Sequence, residues 1–283
     1  MSAVLADAEA PARSYVDAEL NYLGATSERP RNYTFDPPDG EPRSNATHET
    51  HRVRVFNLRD AAAPPALDRE GFELVHHQSA VTDFYDDEQV RRVYYPEAER
   101  LVKEATGADR VFIFDHTIRR RVSGAEDRIG GAPRQPATRV HVDHTEASGP
   151  QRVRDFFPDE ADALLKGRVE VVNVWRPIRG PLKDAPLAMC DVRTVDANDL
   201  VPSDLVYRDR VGETYGVKYN PEQRWFYAPD MRPDEALLLK CYDSLTDGTS
   251  RFSPHTAFED PTTPADAPPR ESIELRTLVF HRG

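Results

Sequence analysis

The chain's strongest constraint is a run of short segments rich in Val, Ile, Leu and aromatic residues, cut apart by turn formers: RVEVVNVWRPI, PLAMCDVRTV, RWFYAPD, ALLLKCYDS and SIELRTLVF. Such residues fit a pleated, half-buried surface, and the Gly, Pro and Asp between them end each strand. Upstream, HRVRVFNLRD alternates polar residues with Val53, Val55 and Leu58, GFELVHHQSAV reads similarly, and VFIFDHTIRRRV is a compact apolar strand. In DDEQVRRVYYPEAERLVKEATG the period changes: Val90, Val93, Tyr94, Ala98, Leu101 and Val102 recur at three and four, an amphipathic helix that Gly107 stops. FFPDEADALLKG suits a short helix from near Pro158 to Gly167. Many short strands with few helices predict an α+β chain on a double-stranded β-helix, a cupin-like jelly roll, with flanking helices.

A length of 283 residues suits one sheet-rich unit. Residues 1–42, acidic and Pro-rich with little periodicity, read as a partly irregular N-terminal arm, and 43–283 as a single catalytic domain. The net charge of -12 repels phosphate backbones and anionic membrane surfaces, which argues against a nucleic-acid partner. No apolar run reaches the roughly 18 residues needed to span a bilayer, and the start lacks the basic and apolar regions of a leader. The expectation is a cytoplasmic protein acting on a small molecule. Cys190 and Cys241 have no C-x-x-C spacing and read as small buried thiols.

In VHVDH, strand alternation puts His141 and Asp143 on one face while Val142 and His144 face the other. An imidazole and a carboxylate so placed form a two-ligand clip. A second histidine from a distant strand would complete the two-His-one-carboxylate triad that leaves positions open on iron. His255, 114 residues downstream, is the candidate. H-x-D also arises by chance; what raises it here is the R-x-S pair Arg270 and Ser272, at offsets of 15 and 17 from His255. A guanidinium fork is a natural carboxylate partner, and the hydroxyl adds a donor. Arg276 lies on the same strand face, six residues and roughly 20 Å from Arg270. Only one of them can grip a ligand chelated to the metal; Arg270 is preferred, with Arg276 neutralised by Glu274 or another acid. SGAEDRIGGAPRQPA, which feeds the metal strand, reads as a mobile lid loop. His144 reads as a supporting or surface residue, Asp115 and His116 as a hydrogen-bonded pair at a strand end, and Arg119, Arg120 and Arg121 as a solvated strand end or a site for a substrate carboxylate.

The wording and order of GFELVHHQSAVTDFYDDEQV, YYPEAERLVKEATGA, HVDHT, NVWRPIRGPLKDAPLAMCD, YAPDMRPDEALLLKCYDS, RFSPHTAFEDP and PPRESIELRTLVF resemble the hydroxylase/desaturase family related to the cephamycin 7α-methoxylation component. The resemblance runs from about Arg43 to the C-terminus. It implies a non-haem oxygenase using Fe(II), 2-oxoglutarate and O2, which hydroxylates or desaturates a small natural-product intermediate and releases succinate and carbon dioxide. The implied metal ligands are His141, Asp143 and His255, and Arg270 and Ser272 would bind the far carboxylate of 2-oxoglutarate. Trp175 resembles an aromatic lining the cosubstrate pocket, although a tryptophan in NVWRP is equally ordinary core. No acid or base beyond the metal centre is implied. Methyl transfer finds no support, since no Gly-rich nucleotide loop follows a first strand. The alternatives are a non-oxidative metal-dependent cupin enzyme and a non-catalytic small-molecule-binding jelly roll.

Overall fold

In YVDAELNYL, Val16, Ala18, Leu20 and Tyr22 are buried while the residues between them are mostly exposed, and this alternation makes Tyr15–Leu23 a strand, β1. The computed structural model describes residues 14–125, 127 and 133–282. After β1 come β2 (Arg31–Tyr33), β3 (His48–Asn57) and β4 (Phe72–His76). A helical stretch follows: α1 (Asp87–Gln89), a π-helical turn over Val90–Tyr94, and α2 (Tyr95–Thr106). The Asp86 side chain caps it by accepting from the Glu88 and Gln89 amides, and Gly107 ends it at φ 69°. Then come β5 (Arg110–Arg120), β6 (His141–Val142), α3 (Ser148–Phe156), α4 (Ala161–Leu164), β7 (Val169–Pro177) and β8 (Leu187–Cys190). The last six strands are β9 (Leu200–Val206), β10 (Val211–Val217), β11 (Trp225–Tyr227), β12 (Glu235–Asp243), β13 (His255–Ala257) and β14 (Glu271–Phe280).

Among the described residues the strands form two sheets, ordered β1-β3-β11-β8-β13-β6-β10-β9-β2 and β4-β12-β7-β14-β5. Val171, Trp175, Leu237, Leu239, Leu278 and Phe280 of the smaller sheet pack against Met189 and Phe226 of the larger one and fill the sandwich. The outer face of the small sheet, with Val172, Val174, Ile273 and Leu275, is covered by Tyr94, Ala98 and Val102 of the helical stretch. The large sheet curls back on itself: Asn21 of β1 bridges Arg139, and its carbonyl accepts the Val140 amide at 2.8 Å. The α+β jelly roll is as expected, including the long helix and its glycine stop.

Three local expectations differ from the structure. The arm expected over 1–42 contains β1, which closes the large sheet, and β2 at its edge; residues 1–13, its expected frayed start, lie outside the described residues, as do position 126 and residues 128–132 of the expected lid loop. The hairpin β9–β10 was not anticipated, because its strands are only partly buried and Pro202, Gly212 and Gly216 break the apolar pattern. Helix α3 was hidden by Gly149-Pro150, which reads as a turn. Here Gly149 lets the helix press on Tyr242, whose ring would lie 2.5 Å from a Cβ at that position.

At one end of the small sheet, the fully buried Lys240 ammonium sits 2.8 Å from both Glu170 Oε2 and Asp243 Oδ2 and also pairs with Asp68. Burial opposes the lysine's charge, but Glu170 and Asp243 outweigh it and raise its pKa. Lys240→Ala is expected to destabilise the fold by about 3 kcal/mol in urea denaturation, the low end for breaking a buried pair, because Arg168 still reaches Asp243 at 2.6 Å while Glu170 loses its buried ammonium. A loss below about 1 kcal/mol, the range of exposed ion pairs, would contradict this account.

Candidate metal centre and cosubstrate pocket

Strand β13 pairs with β6 so that His255 stands directly opposite His141, with ring centroids 4.5 Å apart. Asp143 follows two residues after His141, with Oδ1 3.4 Å from His141 Nε2. One donor atom from each of the three lies within 4.8 Å of the others. Both imidazoles are oriented from behind: His141 Nδ1 lies 2.9 Å from the Arg139 carbonyl and His255 Nδ1 3.0 Å from the Ser253 carbonyl. A carbonyl only accepts, so Nδ1 donates in each ring and the Nε2 lone pair is left facing inward. Two lone pairs and a carboxylate oxygen converging without a hydrogen between them fit a cation of the imidazole-and-carboxylate class. A second acidic group, Asp68, Glu170 and Asp243, has its cation built in as Lys240.

The ligand carboxylate is fixed from the opposite sheet. Asp143 Oδ2 accepts from Asn173 Nδ2 at 2.8 Å and from Arg276 Nε at 3.2 Å. Burial raises the Asp143 carboxyl, but Arg276 and His141 outweigh it and hold it well below the usual range. Burial and the neighbouring His141 keep the His255 imidazole neutral, as ligation requires. Arg276 is itself saturated, reaching Glu274 at 2.7 Å, Asp115 at 3.2 Å and the Thr117 hydroxyl at 3.0 Å. Burial opposes its charge, and Glu274, Asp143 and Asp115 outweigh that cost.

Arg270 stands apart, at the far end of the same inward strand face. Its guanidinium lies 4.9 Å from the Trp175 ring, donates from Nε to Ser272 Oγ at 3.1 Å and from Nη1 to the Ala185 carbonyl at 2.8 Å. Burial pushes its pKa down to about 9. The three residues Arg270, Ser272 and Trp175 form one buried cluster, and its arginine has no carboxylate partner among the described residues. Beside His141 and Asp143 opens a cavity of about 780 Å³, walled by β5, the β9–β10 hairpin and the segment that carries these two residues.

The family model described as YDMC, oxidoreductase/YMDC permease-like domain, matches residues 20–280. The chain is 36% identical over 253 residues to the hydroxylase/desaturase efuI of Hormonema carpetanum, covering 82% of this chain and 84% of that protein. It is 33% identical over 284 residues to the Fe(II)/2-oxoglutarate-dependent dioxygenase nvfI of Aspergillus novofumigatus, covering 95% and 98%. The chain belongs to this hydroxylase/desaturase family of Fe(II)/2-oxoglutarate-dependent oxygenases. A solved structure of the iron and alpha-ketoglutarate-dependent endoperoxidase NvfI superposes on the oxygenase with a TM-score of 0.83 at 31% identity, covering 96% of this chain and 100% of that one. No helix of the oxygenase, among the described residues, is long and apolar enough to cross a membrane.

Several residues of the oxygenase stand differently from their sequence reading. β6 ends at Val142, so the alternation does not extend to His144, which is buried and lines the same cavity as His141 and Asp143. Burial pushes its pKa down to about 4 and keeps it neutral. Asp115 and His116 do not pair: Asp115 faces Arg276, while His116 lies under the helical stretch, with Nδ1 2.8 Å from the Tyr95 hydroxyl and Nε2 3.2 Å from Asp87. Of the run of arginines, Arg120 is the exposed strand end, whereas Arg119 lines the cavity and Arg121 pairs with Asp184 and Glu259. Asn173 was overlooked, although an amide interrupting the valines of VEVVNVW marks a polar position on a buried strand. It donates to both Asp143 and Glu274. Asn173→Ala is expected to weaken metal binding about 10- to 100-fold in a competition titration, the usual effect of losing a group that orients a ligand. Unchanged affinity would show that Arg276 alone positions the carboxylate.

Proposed function

We propose that His141, Asp143 and His255 hold iron(II), that Arg270 and Ser272 bind the far carboxylate of 2-oxoglutarate with Trp175 against it, and that the cavity presents a small natural-product intermediate for hydroxylation or desaturation. When bound, iron and 2-oxoglutarate would activate dioxygen, the oxidant, for removal of hydrogen from a substrate carbon, with 2-oxoglutarate oxidised to succinate and carbon dioxide. The protein's share is binding, orientation and exclusion of water. The Arg139 and Ser253 carbonyls hold the imidazole rings in one tautomer, and Asn173 and Arg276 hold the carboxylate. Glu274 balances Arg276 and so leaves Arg270 as the cation for the cosubstrate.

The observation that carries this reading is the convergence of two proton-free imidazole nitrogens and one carboxylate oxygen in a site whose neighbouring buried arginine, Arg270, has no carboxylate partner among the described residues. Arg270 also separates the proposal from a non-oxidative cupin, which has no use for a 2-oxo acid. Anaerobic titration of the protein with iron(II) and then 2-oxoglutarate tests it. A visible metal-to-ligand charge-transfer band that needs both components is expected. A folded protein that gives no band would favour a non-catalytic binding module.

A further inference from the structure

The cavity beside the metal ligands is cationic in a chain whose net charge is -12: seven arginines line it against four acidic side chains. Most of the arginines have an acid close at hand. Arg276 pairs with Asp143, Arg134 with Asp127, Arg43 with Asp36 and Arg152 with Asp155, and Arg210 lies 3.7 Å from Asp209. Two make no ion pair among the described residues, although Glu274 and Asp127 act on the charge of Arg119, and Asp143 and Asp127 on that of Arg139. Arg119, reaching in from β5, donates to the Gln135 carbonyl at 2.7 Å. Arg139 lines the cavity with neither an ion pair nor a side-chain hydrogen bond among the described residues. Its backbone is not free to drift, since its carbonyl accepts a hydrogen bond from His141 Nδ1 and it bridges Asn21. The backbone that carries the guanidinium is therefore held at a fixed place, two residues from His141.

We propose that Arg139 is the anchor for a carboxylate on the substrate, with Arg119 supplying a second positive wall from the opposite sheet, so that the oxygenase acts on a carboxylate-bearing small molecule. A guanidinium left unpaired in a cavity gains most from a planar anion that accepts two parallel hydrogen bonds. Anchoring at Arg139 would fix the remainder of the molecule relative to His141 and Asp143, and small displacements of a reacting group cost large factors in rate.

The inference rests on the proposed metal and cosubstrate assignment, and the test separates the two. Protein loaded with zinc(II) is first titrated with N-oxalylglycine, a non-reacting analogue of 2-oxoglutarate, by calorimetry; metal-dependent binding that weakens in Arg270→Gln supports the assignment, and its absence defeats the assignment itself. With that site saturated, a panel of aromatic and alicyclic carboxylic acids, among them 2-naphthoate, is titrated alongside the methyl esters. Wild type is expected to bind at least one acid about tenfold or more tighter than its ester, the size of one charge-assisted hydrogen bond. Arg139→Gln is expected to abolish that preference while leaving N-oxalylglycine affinity unchanged, and Arg139→Lys to retain part of it. Equal binding of acids and esters by wild type, no binding of any acid at millimolar concentration, or a preference that survives in Arg139→Gln would each overturn the proposal. Loss of N-oxalylglycine affinity in folded Arg139→Gln would also overturn it, by assigning the arginine to the cosubstrate.

Discussion

His255→Ala is expected to abolish 2-oxoglutarate-dependent succinate formation and to empty the metal site. His255 is 3% exposed and is fixed between β6 and β8, so no neighbouring side chain swings in to replace its nitrogen. Removing a group that merely orients a ligand costs about 10- to 100-fold, so removing the ligand itself is expected to cost more than about 100-fold. The measurements are succinate yield and bound iron after gel filtration, with circular dichroism reporting the fold. Stoichiometric iron retained by the variant would remove His255 from the ligand set. The site's backbone carbonyls give the same experiment a control: His255→Gln, which restores neither the ring nor its Nδ1–H bond to Ser253, is expected to behave like the alanine variant.

Arg270→Gln is expected to raise the KM for 2-oxoglutarate by about two orders of magnitude or more, since leaving a buried carboxylate without its cation costs about 3–5 kcal/mol. Turnover is expected to recover in part at very high cosubstrate, because the metal ligands and the substrate cavity are untouched. Arg270→Lys is expected to fall between, keeping the charge and losing the fork and its contact with the Trp175 ring. Steady-state kinetics with varied 2-oxoglutarate separates these outcomes. An unchanged KM with reduced kcat would shift the carboxylate-binding role away from Arg270. Arg276→Gln is expected to act through metal affinity instead, because its guanidinium holds Asp143.

The parts of the fold visible in sequence were those with strong local periodicity. β7, β12 and β14 announce themselves by apolar runs because both of their faces are buried, and α2 by its stripe and its glycine stop. β9 and β10 were invisible because they form a cavity wall, where partial burial and glycines dilute the pattern. For the site, alternation along a strand, a local rule, brought forward His141 and Asp143, while His255 came forward through its offsets to Arg270 and Ser272 and through the family resemblance. The roles of Asn173, Arg119 and Arg139 depend on which strands face each other, a fact of sheet order that no local window contains. Asp115 shows the same limit: the register of β5 shifts opposite Arg276 and Thr277, leaving Phe114 as an extra residue, and both Phe114 and Asp115 line the cavity as a result.

β14, last in chain order among the described strands, is not an edge of its sheet; it lies between β7 and β5 and carries Arg270, Ser272, Glu274 and Arg276. Under the proposed assignment, a nascent or prematurely terminated chain lacks at once the strand that zips the small sheet together and the arginine that admits the oxidant's precursor. Ribosomal products cut short would therefore be inert as well as unstable, and an organism making this protein would be spared half-built copies that reduce oxygen without a substrate to receive it.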